Sequence, residues 1–287
     1  MREMADFDET LVTLPDGYRA YARYWRPLRQ RGAVLYHHGI QSHCGWYETS
    51  AARLCEAGYA VLQVDRRGSG RNVTDRGHAE SAEQLIQDSM AARDELLRRS
   101  AFTDYHMIGV SWGGKLVVAA YVSDPSGVKS LTLVTPGLFP RVGVSKAEKA
   151  KIGFAMLYEP KRLFDIPLND PDLFTTNPRW AEFFLTDALT LRQCTSSFYL
   201  ASRRMDKLVA RFPKARPVPV HLFIAGDERI IDNEKTVHFT RELHWPGSRI
   251  TTFPAARHSL EFEGDPRCPA QQRFYFDDLV AFIDKVP

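Results

Sequence analysis

The stretch Tyr105–Gly114, YHMIGVSWGG, runs six strand-like residues straight into a helical pattern, with Gly109-Val110-Ser111-Trp112-Gly113-Gly114 at the junction. A serine on so sharp a strand-to-helix turn takes a strained backbone, and glycines flank it because a Cβ there would collide with the neighbouring strand or helix. Its hydroxyl is pushed out over the sheet. The helix behind it offers unsatisfied amides and a positive dipole end, both favourable to negative charge developing on a substrate carbonyl. A G-x-S-x-G pentapeptide also arises by chance as a plain structural turn, so its context decides.

Upstream, residues 11–14 lead through Pro15-Asp16-Gly17 into an aromatic-rich, alternating stretch over 18–25, which reads as an antiparallel hairpin. Short apolar runs follow at 33–36, 60–64, 105–110 and 131–134, separated by stretches with helical spacing at 50–57, 81–99 and 113–122. This alternation builds a mostly parallel sheet flanked by helices. From Thr135-Pro136 the rhythm breaks for some eighty residues, through Pro160, Pro167, Pro171 and Pro178, with helical pieces at 181–191 and 197–209. Strand rhythm returns at 220–225, then a helix near 233–243, a strand at 249–253 and a last helix over about 271–284. The expected layout is a core of residues 1–135 and 218–287 enclosing a helical cap insertion at 136–217.

Among nine histidines, only His258 follows the last strand, where the general base of a serine nucleophile belongs in this chain order. The third member is expected after the strand at 220–225, where Asp227, Glu228 and Asp232 are available to accept the Nδ1 proton and stabilise the imidazolium. Two backbone donors must hold the oxyanion. One is expected from Trp112, directly after the serine, and the other from Ile40, where Gly39 lets the chain turn tightly.

At 287 residues, 44% hydrophobic and 25% charged, the chain is of ordinary globular composition. The 38 basic and 35 acidic side chains are interspersed, which gives nucleic-acid binding no support. The pairs Arg66-Arg67, Arg98-Arg99 and Arg203-Arg204 read as solvated surface or local salt bridges. Cys44, Cys55, Cys194 and Cys268 are too scattered for a disulfide framework or a zinc site. With an acidic, polar N-terminus and no apolar stretch of membrane-spanning length, the expectation is a cytoplasmic protein without a membrane segment. The segment Asp65-Arg66-Arg67-Gly68-Ser69-Gly70 lacks the spacing and lysine of a phosphate-binding loop and reads as a structural turn.

Four blocks, HHGIQSHCGWYE at 37–48, DRRGSGRN at 65–72, GVSWGG at 109–114, and AGDERIIDN with ARHSLEFE near the C-terminus, resemble the monoacylglycerol lipase and lysophospholipase branch of the α/β-hydrolases. The resemblance implies the α/β-hydrolase fold, Ser111 as nucleophile, His258 as base, and Ile40 with Trp112 as oxyanion donors. The family usually has an aspartate before the arginine-aliphatic-aliphatic-Asp run. Here Glu228 holds that place, with Asp227 as second choice and Asp232 in a supporting role. The implied activity is hydrolysis of a small-molecule carboxylic ester with a hydrophobic acyl group, through an acyl-enzyme and with no cofactor or metal. Phe154, Met156, Leu157, Phe164, Leu173 and Phe174 are candidates for the acyl pocket or for plain packing. Competing readings are a thioesterase, lactonase, aminopeptidase or acyltransferase on the same residues, or a ligand-binding protein that makes little use of them.

Overall fold

The computed structural model describes residues 6–263 and 275–286. Among the described residues ten strands occur in chain order: β1 (Phe7–Thr13), β2 (Arg19–Trp25), β3 (Gly32–His37), β4 (Tyr59–Val64), β5 (Tyr105–Val110), β6 (Val128–Val134), β7 (Leu163–Asp165), β8 (Gln193–Thr195), β9 (Val220–Ala225) and β10 (Arg249–Phe253). Eight of them form one sheet in the order β1-β2-β4-β3-β5-β6-β9-β10. The first hairpin and its pairing with β4 are antiparallel, and the pairings from β4 through β10 are parallel.

Strands β3, β4 and β5 are buried along their whole length, the reason they read as continuous apolar runs: helices cover both faces. Alternation sorts their side chains. Ala33 and Leu35 of β3 join one core layer with Ala92 and Leu96 of α2 (Ala82–Ser100) and Val117 and Ala120 of α3 (Trp112–Ser123). Val34 and Tyr36 join the opposite layer, with Ala51 and Leu54 of α1 (Glu48–Glu56) and Leu279 and Phe282 of the last helix, Tyr275–Ile283. The expected start of that helix, at residue 271, lies outside the described residues.

Between β6 and β9 the chain leaves the sheet and forms α4 (Lys146–Tyr158), α5 (Pro178–Thr186) and α6 (Ser196–Val209), together with the β7–β8 antiparallel pair. Two details correct the expectation for this segment. The helix expected at 181–191 begins three residues earlier and stops at Thr186, because Pro178 occupies the first helical position, where its missing N–H costs nothing, and Asn177 caps it by accepting from the Arg179 amide. The small sheet was not foreseen, since three-residue strands carry too little pattern. After β9 come α7 (Asn233–Arg241), capped by Asp232, then α8 (Leu260–Glu263) and α9, the Tyr275–Ile283 helix. Among the described residues no helix is long and apolar enough to cross a membrane.

Several polar ties fasten the intervening segment to the rest of the molecule. Asp187 is the most concentrated of them: its Oδ2 accepts from His43 Nε2 at 2.9 Å, Trp46 Nε1 at 2.8 Å and Thr190 Oγ1 at 3.0 Å. Because His43 Nδ1 accepts from the Gly45 amide, the ring proton is placed on Nε2, facing the carboxylate. Burial opposes the Asp187 charge, and the His43 and Trp46 donors outweigh it, holding the carboxyl far below the usual aspartate value. Replacing Asp187 with alanine leaves three buried donors, on His43, Trp46 and Thr190, unpaired, at roughly 1–3 kcal/mol each. The expected outcome is a melting midpoint lowered by several degrees, with faster proteolysis between residues 160 and 195, measured by thermal unfolding and limited proteolysis.

A second buried carboxyl ties three helices together. Glu261 of α8 accepts from the Ser50 amide of α1 and the Tyr275 hydroxyl of α9, and Tyr275 in turn meets Tyr36 of β3 at 3.2 Å. Complete burial raises the Glu261 carboxyl from 4.5 to about 7. Its folded pKa thus lies above its unfolded one, so its contribution is fully present below about pH 4.5 and is lost as pH rises through about 7. At about 1.4 kcal/mol per pKa unit the change is on the order of 3 kcal/mol. Glu261→Gln keeps an acceptor and a donor without the charge, so the melting temperature should lose this downward slope between pH 5 and 8. An unchanged slope would exclude Glu261 as its source.

Candidate active site

The turn from β5 into α3 is as tight as its sequence demands. Ser111 has φ 52° and ψ −122°, a backbone conformation that L-residues seldom adopt. A Cβ on Gly109 would lie 2.5 Å from the Gly113 carbonyl oxygen, and one on Gly113 would lie 2.5 Å from the His37 carbonyl oxygen. Glycine at both positions lets α3 press against β5 and β3 at once. The Ser111 carbonyl accepts from the Gly114 and Gly137 amides, which pins the turn from two sides.

His258 follows β10 and sets Nε2 2.8 Å from Ser111 Oγ. On the other side of the ring, Nδ1 faces Glu228 Oε2 at 2.9 Å and Oε1 at 3.0 Å. The Glu228 carboxylate is fully shielded from solvent and His258 nearly so. Burial pushes the Glu228 pKa up. The facing His258 charge, the Nδ1 hydrogen bond and the amides of Ile230 and Ile231 outweigh it and hold the carboxyl below 4.5. The Thr135 hydroxyl donates to the His258 carbonyl at 3.0 Å, tying that loop to the end of β6.

The other two carboxylates of the loop are elsewhere. Asp227 is exposed and paired with Arg229 and Arg257, while Asp232 caps α7 through the Lys235 amide. Arg257, next to His258, also pairs with Asp172 and donates to the Asp172 carbonyl, joining this loop to the segment between β6 and β9.

Gly39 and Ile40 follow β3, and Trp112 opens α3. A Cβ on Gly39 would lie 3.3 Å from Ser111 Cβ, so the bare glycine faces the serine. The Trp112 amide is in the first turn of α3, where backbone donors have no intrahelical acceptor. The Trp112 indole stacks on Phe198 of α6 at 5.2 Å and donates to Ser202 Oγ at 2.9 Å.

Of the six candidate pocket residues, the structure brings Phe174 to the site, its ring centroid 6.0 Å from that of His258. Phe174 belongs to an aromatic cluster with Trp46, Phe184 and Phe262, and Leu173 is half-buried against the same layer. Phe164 packs against Ile152 and Ala155 instead. Met156 lines a separate cavity of about 390 Å³ with Ile152, Tyr199 and Leu200. Phe154 and Leu157 are 65% and 75% exposed, because α4 offers the rest of the chain only the narrow face of Ile152 and Ala155.

The arginine pairs divide. Arg67 bridges Asp16 and Asp88, and Arg98 pairs with Glu95, as local salt bridges do. Arg66 departs from that reading: it is 8% exposed and its guanidinium donates to two loop carbonyls, those of Gly39 and Ile40. Asp65, wholly buried, accepts from the Cys44 and Arg71 amides, which fits a structural turn. Cys44, Cys55 and Cys194 are free and buried, and burial pushes all three thiols up, to about 11 for Cys55 and about 12 for Cys194. Cys268 lies outside the described residues. Among the described residues no group of three or more His, Cys, Asp or Glu is arranged to hold a metal ion.

Comparison with known proteins agrees with this architecture. A monoacylglycerol lipase from Mycolicibacterium smegmatis is 31% identical over 136 residues, 45% of this chain and 46% of its own length. An uncharacterised Escherichia coli protein, YnbC, is 25% identical over 290 residues, 97% of this chain and 47% of its own. This chain therefore spans about half the length of both curated relatives. In structure, a soluble variant of the monoglyceride lipase from Saccharomyces cerevisiae superposes with a TM-score of 0.80 over 99% of each chain at 18% identity, so the two share the α/β-hydrolase fold. The model of the Hydrolase_4 family, serine aminopeptidase S33, matches residues 29–265. That match runs from β3 past His258 and covers most of the chain, which therefore belongs to the serine aminopeptidase S33 family of α/β-hydrolases.

Proposed function

We propose that this chain is a serine hydrolase that cleaves carboxylic esters, with Ser111 as nucleophile, His258 as general base and Glu228 as the acid that orients it. The observation that carries the reading is the unbroken hydrogen-bond relay from Ser111 Oγ through both ring nitrogens of His258 to Glu228. His258 takes the hydroxyl proton as Oγ attacks the carbonyl, and the amides of Ile40 and Trp112 hold the oxyanion. The alcohol leaves with the proton from His258. Water, deprotonated by the same ring, then releases the acid and restores the serine. Glu228 stays ionised through neutral pH, so its charge is available to the imidazolium at both steps.

The substrate class proposed is a monoester with a hydrophobic acyl group, of the monoacylglycerol or lysophospholipid kind. Phe174 beside His258 and the aromatic cluster behind it support an apolar acyl side, and one relative is named a monoacylglycerol lipase. Residues 136–217 then act as a cap over the core of 1–135 and 218–287. Phe174 on the ring of His258, and the Leu191 amide donating to the Gln41 carbonyl, support that division.

Fluorophosphonate labelling and turnover of p-nitrophenyl esters test the reading. Ser111→Ala should abolish both, and Glu228→Ala should lower kcat by about 10³–10⁴-fold. Asp227→Ala should stay within about threefold of wild type, since an exposed ion pair contributes little. Wild-type protein that neither labels nor turns over any ester would sink the hydrolase reading in favour of a ligand-binding one.

A further inference from the structure

The loop after β3 is held by a clamp that ester hydrolysis as such does not require. His38 is buried, and its Nε2 accepts from the Arg66 backbone amide at 2.9 Å. That acceptor role puts the ring proton on Nδ1, which donates to the Gly39 carbonyl at 2.8 Å. Ser69 completes the arrangement by donating its hydroxyl proton to the Arg66 carbonyl at 2.8 Å. The Arg66 guanidinium reaches back to the same loop, with Nη1 on the Gly39 carbonyl at 3.2 Å and Nη2 on the Ile40 carbonyl at 2.8 Å. Its Cζ lies 4.7 Å from the centroid of the Trp112 ring and 5.1 Å from that of Phe198.

The Gly39 carbonyl and the Ile40 amide belong to one peptide unit. That unit is planar and trans, so its C=O and N–H point in opposite directions. Two donors on the Gly39 oxygen therefore aim the Ile40 hydrogen away from His38 and Arg66. The need for such a clamp follows from Gly39 itself. Its Cα must face Ser111, where a side chain would crowd the serine, yet glycine leaves its flanking peptides free to rotate. A flipped unit would present a carbonyl oxygen where the oxyanion forms.

We infer that His38 and Arg66 are positioning residues for the oxyanion hole, which fix the Gly39–Ile40 peptide so that the Ile40 amide is presented to the substrate carbonyl. This rests on the ester-hydrolase reading and deepens it. Arg66 has a second effect. Among the described residues it has no carboxylate in ion-pair contact, so its charge stands unneutralised next to the loop on which the oxyanion is held. Burial accordingly lowers its pKa, to about 10, and it remains charged at neutral pH.

The test compares His38→Ala, His38→Asn, Arg66→Met and Arg66→Lys with wild type and Ser111→Ala. The readouts are kcat and KM on p-nitrophenyl esters, Ki for an alkyl trifluoromethyl ketone, which adds to the serine as an oxyanion, and Ki for the matching unreactive alkyl ether. His38→Ala and Arg66→Met should each lose on the order of 10²-fold in kcat, with Ki for the ketone rising in parallel. KM and Ki for the ether should move by no more than about threefold, since neither depends on the oxyanion. His38→Asn keeps a donor at the Nδ1 position and should recover most of the loss, and Arg66→Lys keeps the charge without the fork and should recover part. If Arg66→Met does not fold, Arg66→Lys and the His38 pair still decide. Ketone affinity unchanged while wild type turns over esters overturns the clamp alone, and so does a loss that falls equally on ketone and ether. Wild type that neither turns over esters nor binds the ketone removes the hydrolase reading and the clamp with it.

Discussion

The constraint on which the rest of the structure depends is the backbone at Ser111. A serine at φ 52° is strained on its own, and it persists only because the surroundings over-determine it. Gly109, Gly113 and Gly114 each lack the atom that would collide with, respectively, the start of α3, the end of β3 and Pro136. The Ser111 amide donates to the Val134 carbonyl and its own carbonyl takes two amides, so β6 shares in holding the turn. Three adjacent strands must therefore sit in a single register for one hydroxyl to stand clear of the sheet. The same close approach brings the His37 and His38 carbonyls against Gly113, which carries the loop beginning at Gly39 up to the serine.

That geometry explains which parts of the molecule were legible in its sequence. The parallel strands carried a strong signal because burial on both faces fills them mostly with apolar side chains, and the elbow announced itself through glycine spacing. Chain order points to His258, and the place before Arg229-Ile230-Ile231-Asp232 points to Glu228; the structure brings both into one hydrogen-bonded line with Ser111. The segment between β6 and β9 was harder. Helix α4 buries only a narrow face, so its apolar stripe is thin, and Phe154 and Leu157 resemble pocket residues in sequence although they face solvent. Proline misled in α5 because the residue that ends one helix is equally suited to begin another.

Arg66 was misread for a different reason. Nothing in a linear pattern distinguishes an arginine that forks onto backbone carbonyls from one that bridges a surface carboxylate, and its neighbour Arg67 does bridge two. Both side chains are equally buried, so the signal that separates them is the partner: the Arg66 guanidinium lies beside two aromatic rings and donates to the Gly39 and Ile40 carbonyls, where Arg67 faces carboxylates. Position in the turn after β4 sets this up. The Asp65 carboxylate and the Asn72 side chain hold that turn against β2 and the 3₁₀ turn at Cys44–Tyr47, so Arg66 and Arg67 are directed to opposite neighbours.

The presence of glutamate where aspartate is usual has a physical counterpart in the loop that carries it. One extra methylene adds a rotatable bond, and a longer arm orients a histidine only if something else removes that freedom. The amides of Ile230 and Ile231 both donate to Glu228 Oε1, anchoring the carboxylate from behind while both oxygens face Nδ1. The backbone is held in turn by the Asp227 amide on the Ala256 carbonyl and by Arg141 and Val142 donating to the Ile230 carbonyl. In that register Asp227 is turned outward, where with Asp172 it neutralises Arg257. The extra reach of the glutamate is thus matched by two backbone donors behind it, while the aspartate beside it is given over to the exposed ion pairs with Arg229 and Arg257.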